Sequence, residues 1–306
     1  MIQFLKKLIY RNIAITEYSG IKGTREAFEK VYLETAQGWL DVSQHHWVLC
    51  LDPIVFGVWL PKGSLPIGDE KRNRQLLFKD PVNTLARVKV ILMNCIIEEE
   101  GTLILLKYEK GSIHHCKNLE SRFLFFRYYR KPGLTYLKFK SLVTAYSYPR
   151  KVRIISFKEE DHFNMFPMDL LSPIPGCKRF VFGLRHTNRT LAKIIESKKI
   201  LVSEIPFQHK EDIYKLGKHH STAPPPPDQL PFPTTPSQSL GFPVPAWATS
   251  YREISILKSL DLGSHMLLWG ETMHEEKLNE ESPGLHHIHF LLYLHQTRKG
   301  LDYQLT

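Results

Sequence analysis

Cysteine is scarce in this chain, and the few present stand apart. Among 306 residues only Cys50, Cys95, Cys116 and Cys177 occur, with no C-x-x-C pair, so neither a zinc ribbon nor a disulfide framework is signalled. They read as four reduced thiols of a cytoplasmic protein. Long apolar runs are lacking too. Trp47 to Leu60 is broken by Asp52 and Pro53, and Val88 to Ile97 is short, against the ~18–20 residues that a membrane-spanning helix needs. Both read as buried strands, and no membrane partner is expected. The opening stretch Met1 to Tyr10 carries Lys6 and Lys7 inside its apolar run and no small-residue cleavage pattern, which speaks against a secretory signal. G-x-G-x-x-G, G-x-x-x-x-G-K-[ST] and G-x-S-x-G are absent. Together with the missing strand–helix alternation, this excludes Rossmann, P-loop and α/β-hydrolase chemistry.

What is present is globular: 42% hydrophobic residues against 24% charged excludes a disordered chain. Lys and Arg (41) exceed Asp and Glu (31), for a net charge of +10, which favours anionic partners. Both signs are mixed along the chain, so nucleic acid is disfavoured. Only Arg122 to Lys131 interleaves basic residues with aromatics (Phe123, Phe125, Phe126, Tyr128, Tyr129), and it reads as a core-facing strand with solvated ends.

Apolar spacing at Phe28, Val31, Tyr32 and Thr35 predicts a helix over 25–35. From Trp39 to Tyr129, apolar runs separated by charged or Gly-containing turns predict strands, Phe123 to Phe126 being the last. Arg130-Lys131-Pro132-Gly133 is a strong breaker and divides the chain into residues 1–133 and 134–306. The second half predicts strands at Val152 to Phe157, Phe180 to Leu184, Ile200 to Val202, Ile254 to Leu257, His265 to Thr272 and Ile288 to Leu294. A short helix is expected at Leu191, Ile194 and Ile195. Residues 222–246, opening with Pro224-Pro225-Pro226-Pro227, predict an extended loop without regular pairing. Gly217 and Gly241 could hinge it as a lid. No internal repeat is detected. The fold class is mostly β with a few short helices.

Fifteen histidines invite a metal reading, yet the densest cluster, His286-His287-Ile288-His289, offers only half a zinc site. His114-His115 and His219-His220 offer less, so no metal is expected. Arg185-His186-Thr187-Asn188-Arg189-Thr190 is more informative. It joins a predicted strand to a helix capped by Asn188 or Thr190, and two guanidiniums and two hydroxyls at a helix N-terminus make a phosphate seat.

Four segments of the second half, read in order, resemble the flavin reductase-like FMN-binding split-barrel family. They are Tyr148-Pro149-Arg150 with its following strand, Asn164-Met165-Phe166-Pro167-Met168-Asp169, Phe180 through Thr190 with the helix after it, and Asp261-Leu262-Gly263-Ser264-His265. The resemblance spans about residues 135 to 275. It implies an antiparallel Greek-key split barrel over 134–306 and a homodimer with flavin near the subunit interface. It also implies FMN, or FAD, as cofactor and NAD(P)H as co-substrate. Arg185, Asn188, Arg189 and Thr190 would hold the flavin phosphate, and the main chain at Asn164, Met165, Phe166 and Pro167 would face the ring edge. Ser264 and Asp169 would lie near the ring, and His265 would contact nicotinamide. Asp169 departs from the Ser or Thr that many members carry. Residues 1–133 match nothing in the minimal family domain; they are either a second, degenerate barrel or an extension. Three functions stay open: an NAD(P)H-dependent flavin reductase, a flavin-binding protein without turnover, and a basic nucleic-acid-binding barrel.

Overall fold

The structure is a computed structural model that describes residues 18–21, 29–64, 73–160, 162–220, 222–224, 226–280 and 282–300. After β1 (Tyr18–Ile21) the chain builds a seven-stranded antiparallel sheet from β2 (Lys30–Thr35), β3 (Gly38–Asp41), β4 (His46–Leu51), β5 (Ile54–Pro61), β6 (Asn73–Lys79), β7 (Thr84–Ile97) and β8 (Gly101–Ile113). A helical connector follows, comprising α1 (Asn118–Leu124), a π turn over Phe125–Tyr129 and α2 (Tyr136–Ala145). Beyond β9 (Arg150–Lys151), a second seven-stranded sheet takes in β10 (Arg153–Lys158), β11 (Phe163–Met168), β12 (Leu171–Pro173), β13 (Arg179–Arg185), β14 (Lys199–Glu204), β17 (Ser250–Asp261) and β18 (His265–Lys277). Helix α3 (Leu191–Ser197) links β13 to β14, while α4 (Lys210–Lys215), β15 (Thr234–Pro236) and β16 (Pro243–Pro245) lie between β14 and β17. Strand β19 (Gly284–His287) pairs with both β1 and β9, and α5 (Phe290–Arg298) follows it.

The two large sheets have one topology. Their orders are β3-β2-β6-β7-β8-β5-β4 and β11-β10-β14-β17-β18-β13-β12. Counted within each sheet, both run second, first, fifth, sixth, seventh, fourth, third. In each, the two edge strands are consecutive in the chain, β3 and β4 joined through residues 42–45, β11 and β12 through Asp169-Leu170. Each sheet therefore curls back on itself into a barrel whose seam the chain itself closes.

A repeat accompanies the topology. Val55-Phe56-Gly57-Val58 in β5 answers Val181-Phe182-Gly183-Leu184 in β13, and Gly101-Thr102-Leu103-Ile104-Leu105-Leu106 in β8 answers Gly263-Ser264-His265-Met266-Leu267-Leu268 at the start of β18. The cross-strand register is the same: Gly57 faces Leu105 as Gly183 faces Leu267. The sequence expectation of no internal repeat is thus corrected. The two matching stretches are short and lie far apart, and only their pairing makes them one signal.

Alternation explains why these strands are apolar on both faces. Phe56, Val58, Phe180, Phe182 and Leu184 fill the barrel interiors, in the larger core cluster. Val55, Trp59, Leu103 and Leu105 of the first barrel meet Val181, Leu267 and Trp269 of the second in a separate cluster. There the Trp59 and Trp269 rings lie 6.0 Å apart. Polar staples flank this contact. Ser264 N donates to Asp52 O and Asp52 N to Ser264 Oγ, while Glu98 accepts from Arg179, Lys258 and Trp269 Nε1.

Other expectations are corrected as well. Residues 30–35 form a strand rather than a helix, because β-branched and aromatic residues there pair with β3 on one side and β6 on the other; residues 25–28 lie outside the described residues. Phe123–Phe126 is helical and, with α2 and α5, makes an aromatic cluster of its own. Ile288 to Leu294 is mostly helix α5, whose N-cap His289 accepts a bond from Leu291 N. The Pro-rich loop does pair: β15 and β16 form a short ladder of three residue pairs, Thr234 opposite Pro245. Edge positions whose N–H groups face away from the partner tolerate proline. The breaker at 130–133 falls inside the helical connector.

A Cβ at Gly183 would run into the backbone of Leu49 from the other barrel, whereas one at Gly57 would meet side-chain atoms of Leu49 and Leu103. Gly183→Ala is therefore expected to destabilise by about 3 kcal/mol and Gly57→Ala by about 1 kcal/mol. Urea unfolding midpoints of the two variants would check this; equal losses would contradict the close approach at Gly183.

Candidate functional site

Strand β11 is a sheet edge, so its outward carbonyls have no ladder partner. The turn Leu216–His220 supplies one. His219 Nδ1 donates to Met165 O at 2.8 Å and His220 Nε2 to Pro167 O at 2.9 Å. His220 Nδ1 is then the acceptor for Asn188 Nδ2 at 3.0 Å, and Arg189 N donates to His220 O. Asn164 Nδ2 donates to Thr190 Oγ1 (2.7 Å) and to His219 O (3.0 Å). Thr190 N donates to Asn188 Oδ1 at 2.8 Å, an Asx turn at the start of α3. His162 Nε2 lies 3.1 Å from Thr190 Oγ1. Asn164, Asn188 and Thr190 are all buried. Of the residues expected to seat phosphate and ring edge, these three thus converge, but around two histidines of their own chain. Met165 and Phe166 are core side chains, and Pro167 is half-buried.

The second group lies at the barrel–barrel junction. Arg185 ends β13 opposite His265, the first residue of β18. By alternation both stand on the face that carries Val181 and Leu267 against the first barrel. His265 is 1% exposed; its Nδ1 lies 2.8 Å from Ser264 Oγ, and its Nε2 has no hydrogen-bond partner. Burial foremost, then the charges of Arg185 and His186, lower its pKa to about 4. His186 Nε2 lies 3.2 Å from Asp261 Oδ1. Arg185 and Arg189 are exposed. Ser264 is committed to Asp52 of the first barrel, as described above.

Asp169 belongs to neither group. It sits at the seam of the second barrel, 3.3 Å from Arg150 Nη2 and 2.8 Å from His287 Nδ1. Burial raises its pKa, but the Arg150 charge and the His287 bond outweigh this and hold it well below the usual carboxylate range. The sequence pattern assigns no site role to Arg150, Tyr146 or His287. The run Arg150-Lys151-Val152-Arg153, three basic residues of four at a strand entry, is the available signal.

FMN would ask this region for phosphate donors. Arg185 and Arg189 are exposed and can supply them. Asn164, Asn188 and Thr190 are buried and bonded mainly to one another, to His219 and to His220. The buried trio does not fit the cofactor as folded. Among the described residues no group of three His, Cys, Asp or Glu side chains is placed to hold a metal, and no helix is long and apolar enough to cross a membrane.

No protein-family model matches the chain, and no curated protein sequence does. Parts of the chain are similar to solved structures of flavin proteins. One is an FMN-binding protein from Thermus thermophilus with 1-cyclohex-2-enone bound, at 19% identity over 42% of this chain and 71% of that one, with a TM-score of 0.37. Another is component B of nitrilotriacetate monooxygenase from Mycobacterium thermoresistibile, at 17% identity over 46% and 77%, with a TM-score of 0.39. A third is the NADH:FAD oxidoreductase of Streptomyces globisporus, at 12% identity over 52% and 95%, with a TM-score of 0.44.

His46, His115 and His265 are each buried and each lowered to about 4 from the ordinary 6.5, chiefly by burial. The unfolded chain therefore binds more protons than the folded one between those values. Stability present above pH 6.5 is lost as pH falls toward 4, by roughly 1–3 kcal/mol per histidine. Denaturant midpoints at about pH 7.5, 5.5 and 4.5 should fall in that order; a flat profile would show that these imidazoles are not neutral and buried.

Proposed function

We propose that this chain is a flavin-nucleotide-binding oxidoreductase whose site lies on the second barrel where it meets the first. One observation carries the location. The two barrels place equivalent residues at the end of the same strand pair, Trp59 opposite Leu103 in the first and Arg185 opposite His265 in the second. A duplicated apolar contact has become polar in only one copy. Arg185 stands exposed at the rim of an otherwise apolar junction, where a phosphate-bearing ligand would meet its guanidinium.

The four motifs named above supply the reading of the ligand as FMN or FAD. Bound there, a flavin would provide hydride acceptance from NAD(P)H; the chain's own residues would bind and orient. Arg185 and Arg189 would hold the phosphate by charge-assisted bonds. His265, neutral at pH 7, would position nicotinamide through a hydrogen bond rather than exchange a proton. The internal pairing of barrels supplies within one chain the contact that a homodimer would otherwise make. The second reading, flavin binding without turnover, is favoured by His265 itself, whose near-complete burial leaves little for a second ligand to reach.

A visible absorption spectrum of the purified or flavin-titrated protein tests the proposal. A flavin band that sharpens and shifts on binding is expected, and Arg185→Ala should weaken FMN affinity by about ten- to a hundred-fold, the worth of one charged hydrogen bond. Leu103→Met, at the first-barrel position that matches His265, should leave affinity unchanged. Anaerobic NAD(P)H bleaching separates reductase from carrier. FMN binding that ignores Arg185 would refute the placement.

A further inference from the structure

A cleft of about 710 Å³ lies away from Arg185 and His265. One wall is the entry to β4 of the first barrel, including His46, Trp47 and Val48; the other is the end of the second barrel where β10 and β17 start and β14 and β18 finish. Arg150 of β9 forms part of its lining. The Arg150 side chain is 8% exposed, its guanidinium lies 3.2 Å from the centre of the Tyr146 ring, and none of its three nitrogens has a hydrogen-bond partner. Asp169 is near enough to balance charge but not aligned to accept a bond, and it also serves His287. A guanidinium taken out of water with its donors unused is an unfavourable arrangement that a bound acceptor would relieve.

The remaining charges point the same way. Glu204 meets three cations, Lys151 at 2.7 Å, Arg153 at 2.6 Å and Arg252 at 3.2 Å, and Arg252 also meets Glu275. Arg150, Lys151, Arg153, Arg252 and Lys277 line the cleft against Asp169, Glu204 and Glu275, an excess of two positive charges. His46 and His286 add none at neutral pH, since burial lowers them to about 4 and about 3. The walls also include Trp47, Val48, Ala145, Tyr148 and Leu171. An inorganic ion would leave most of this volume empty and those walls uncovered.

We propose that the cleft between the barrels binds a small organic oxyanion, its phosphate or carboxylate group on the edge of Arg150 and its planar body against Trp47 and Tyr148. The cleft takes in Asp169 and the Tyr148-Pro149-Arg150 segment but neither Arg185 nor His265, and the proposal does not depend on flavin binding at those two residues. Two compounds distinguish the sources of the oxyanion: adenosine monophosphate for a phosphate ester and benzoate for an aromatic carboxylate, with adenosine as the uncharged control. Titration calorimetry and Trp47 fluorescence should show one of the two acids binding and adenosine not. Arg150→Gln should weaken that binding about ten-fold or more, as expected for loss of a bidentate charged contact, and Arg185→Ala should leave it unchanged. If Arg150→Gln fails to fold, Lys277→Ala, at an exposed position on the rim, should weaken binding about two- to four-fold, and added salt should weaken it further. The proposal is overturned if neither acid binds up to about 10 mM, if adenosine binds as well as its monophosphate, if neither Arg150→Gln nor Lys277→Ala has an effect, or if binding is lost on Arg185→Ala instead.

Discussion

The close approach of the β4 backbone to Gly183 is the constraint on which the arrangement of the two barrels rests. Leu49 can lie against β13 only because that strand carries no side chain at this point. With the backbones so close, Trp59 and Trp269 are brought within ring contact and the apolar faces of β5, β8, β13 and β18 close over one another. The Asp52–Ser264 and Glu98–Arg179 bonds then fix the register of one barrel against the other. The hydrophobic contribution of such a contact is non-directional; the polar staples give it a single geometry.

Duplication with divergence gives the second barrel its distinct chemistry. Matching strands carry matching interior residues, since both barrels must fill the same kind of interior. The outward positions are under no such requirement and have separated. At the junction the first barrel presents Val55, Trp59, Leu103 and Leu105, all apolar. In the second the outward positions end in Arg185 and His265, next to the turn that holds Ser264. The small sheet of β1, β19 and β9 places Arg150 and His287 near the seam residue Asp169, so a segment outside either barrel contributes to the polar surroundings of the second.

The turn around His219 and His220 shows how an edge strand is protected. Covering the open carbonyls of β11 with two imidazoles prevents pairing with another chain and fills the space next to α3. It also binds Asn164, Asn188 and Thr190 into an internal network. The motif residues are thus together, yet most of their hydrogen bonds are made within this internal network. Sequence order shows which residues a fold can gather. It does not show which side chain from a distant loop will reach them first.

Much of the architecture was legible in the sequence. Alternating and continuous apolar runs marked most of the second barrel's strands, and the Asn188–Thr190 turn marked the start of α3, because those signals are local and period-bound. The short aromatic runs at Phe123 and Phe290 suit either period, and only packing against α2 made them helices rather than the strands their composition suggested. The duplication, the junction, the histidine-filled seat and the cleft at Arg150 were decided by tertiary structure alone. Each depends on residues far apart in the chain meeting through cross-strand register and barrel closure, and neither composition nor spacing encodes a register until the partner strand is in place.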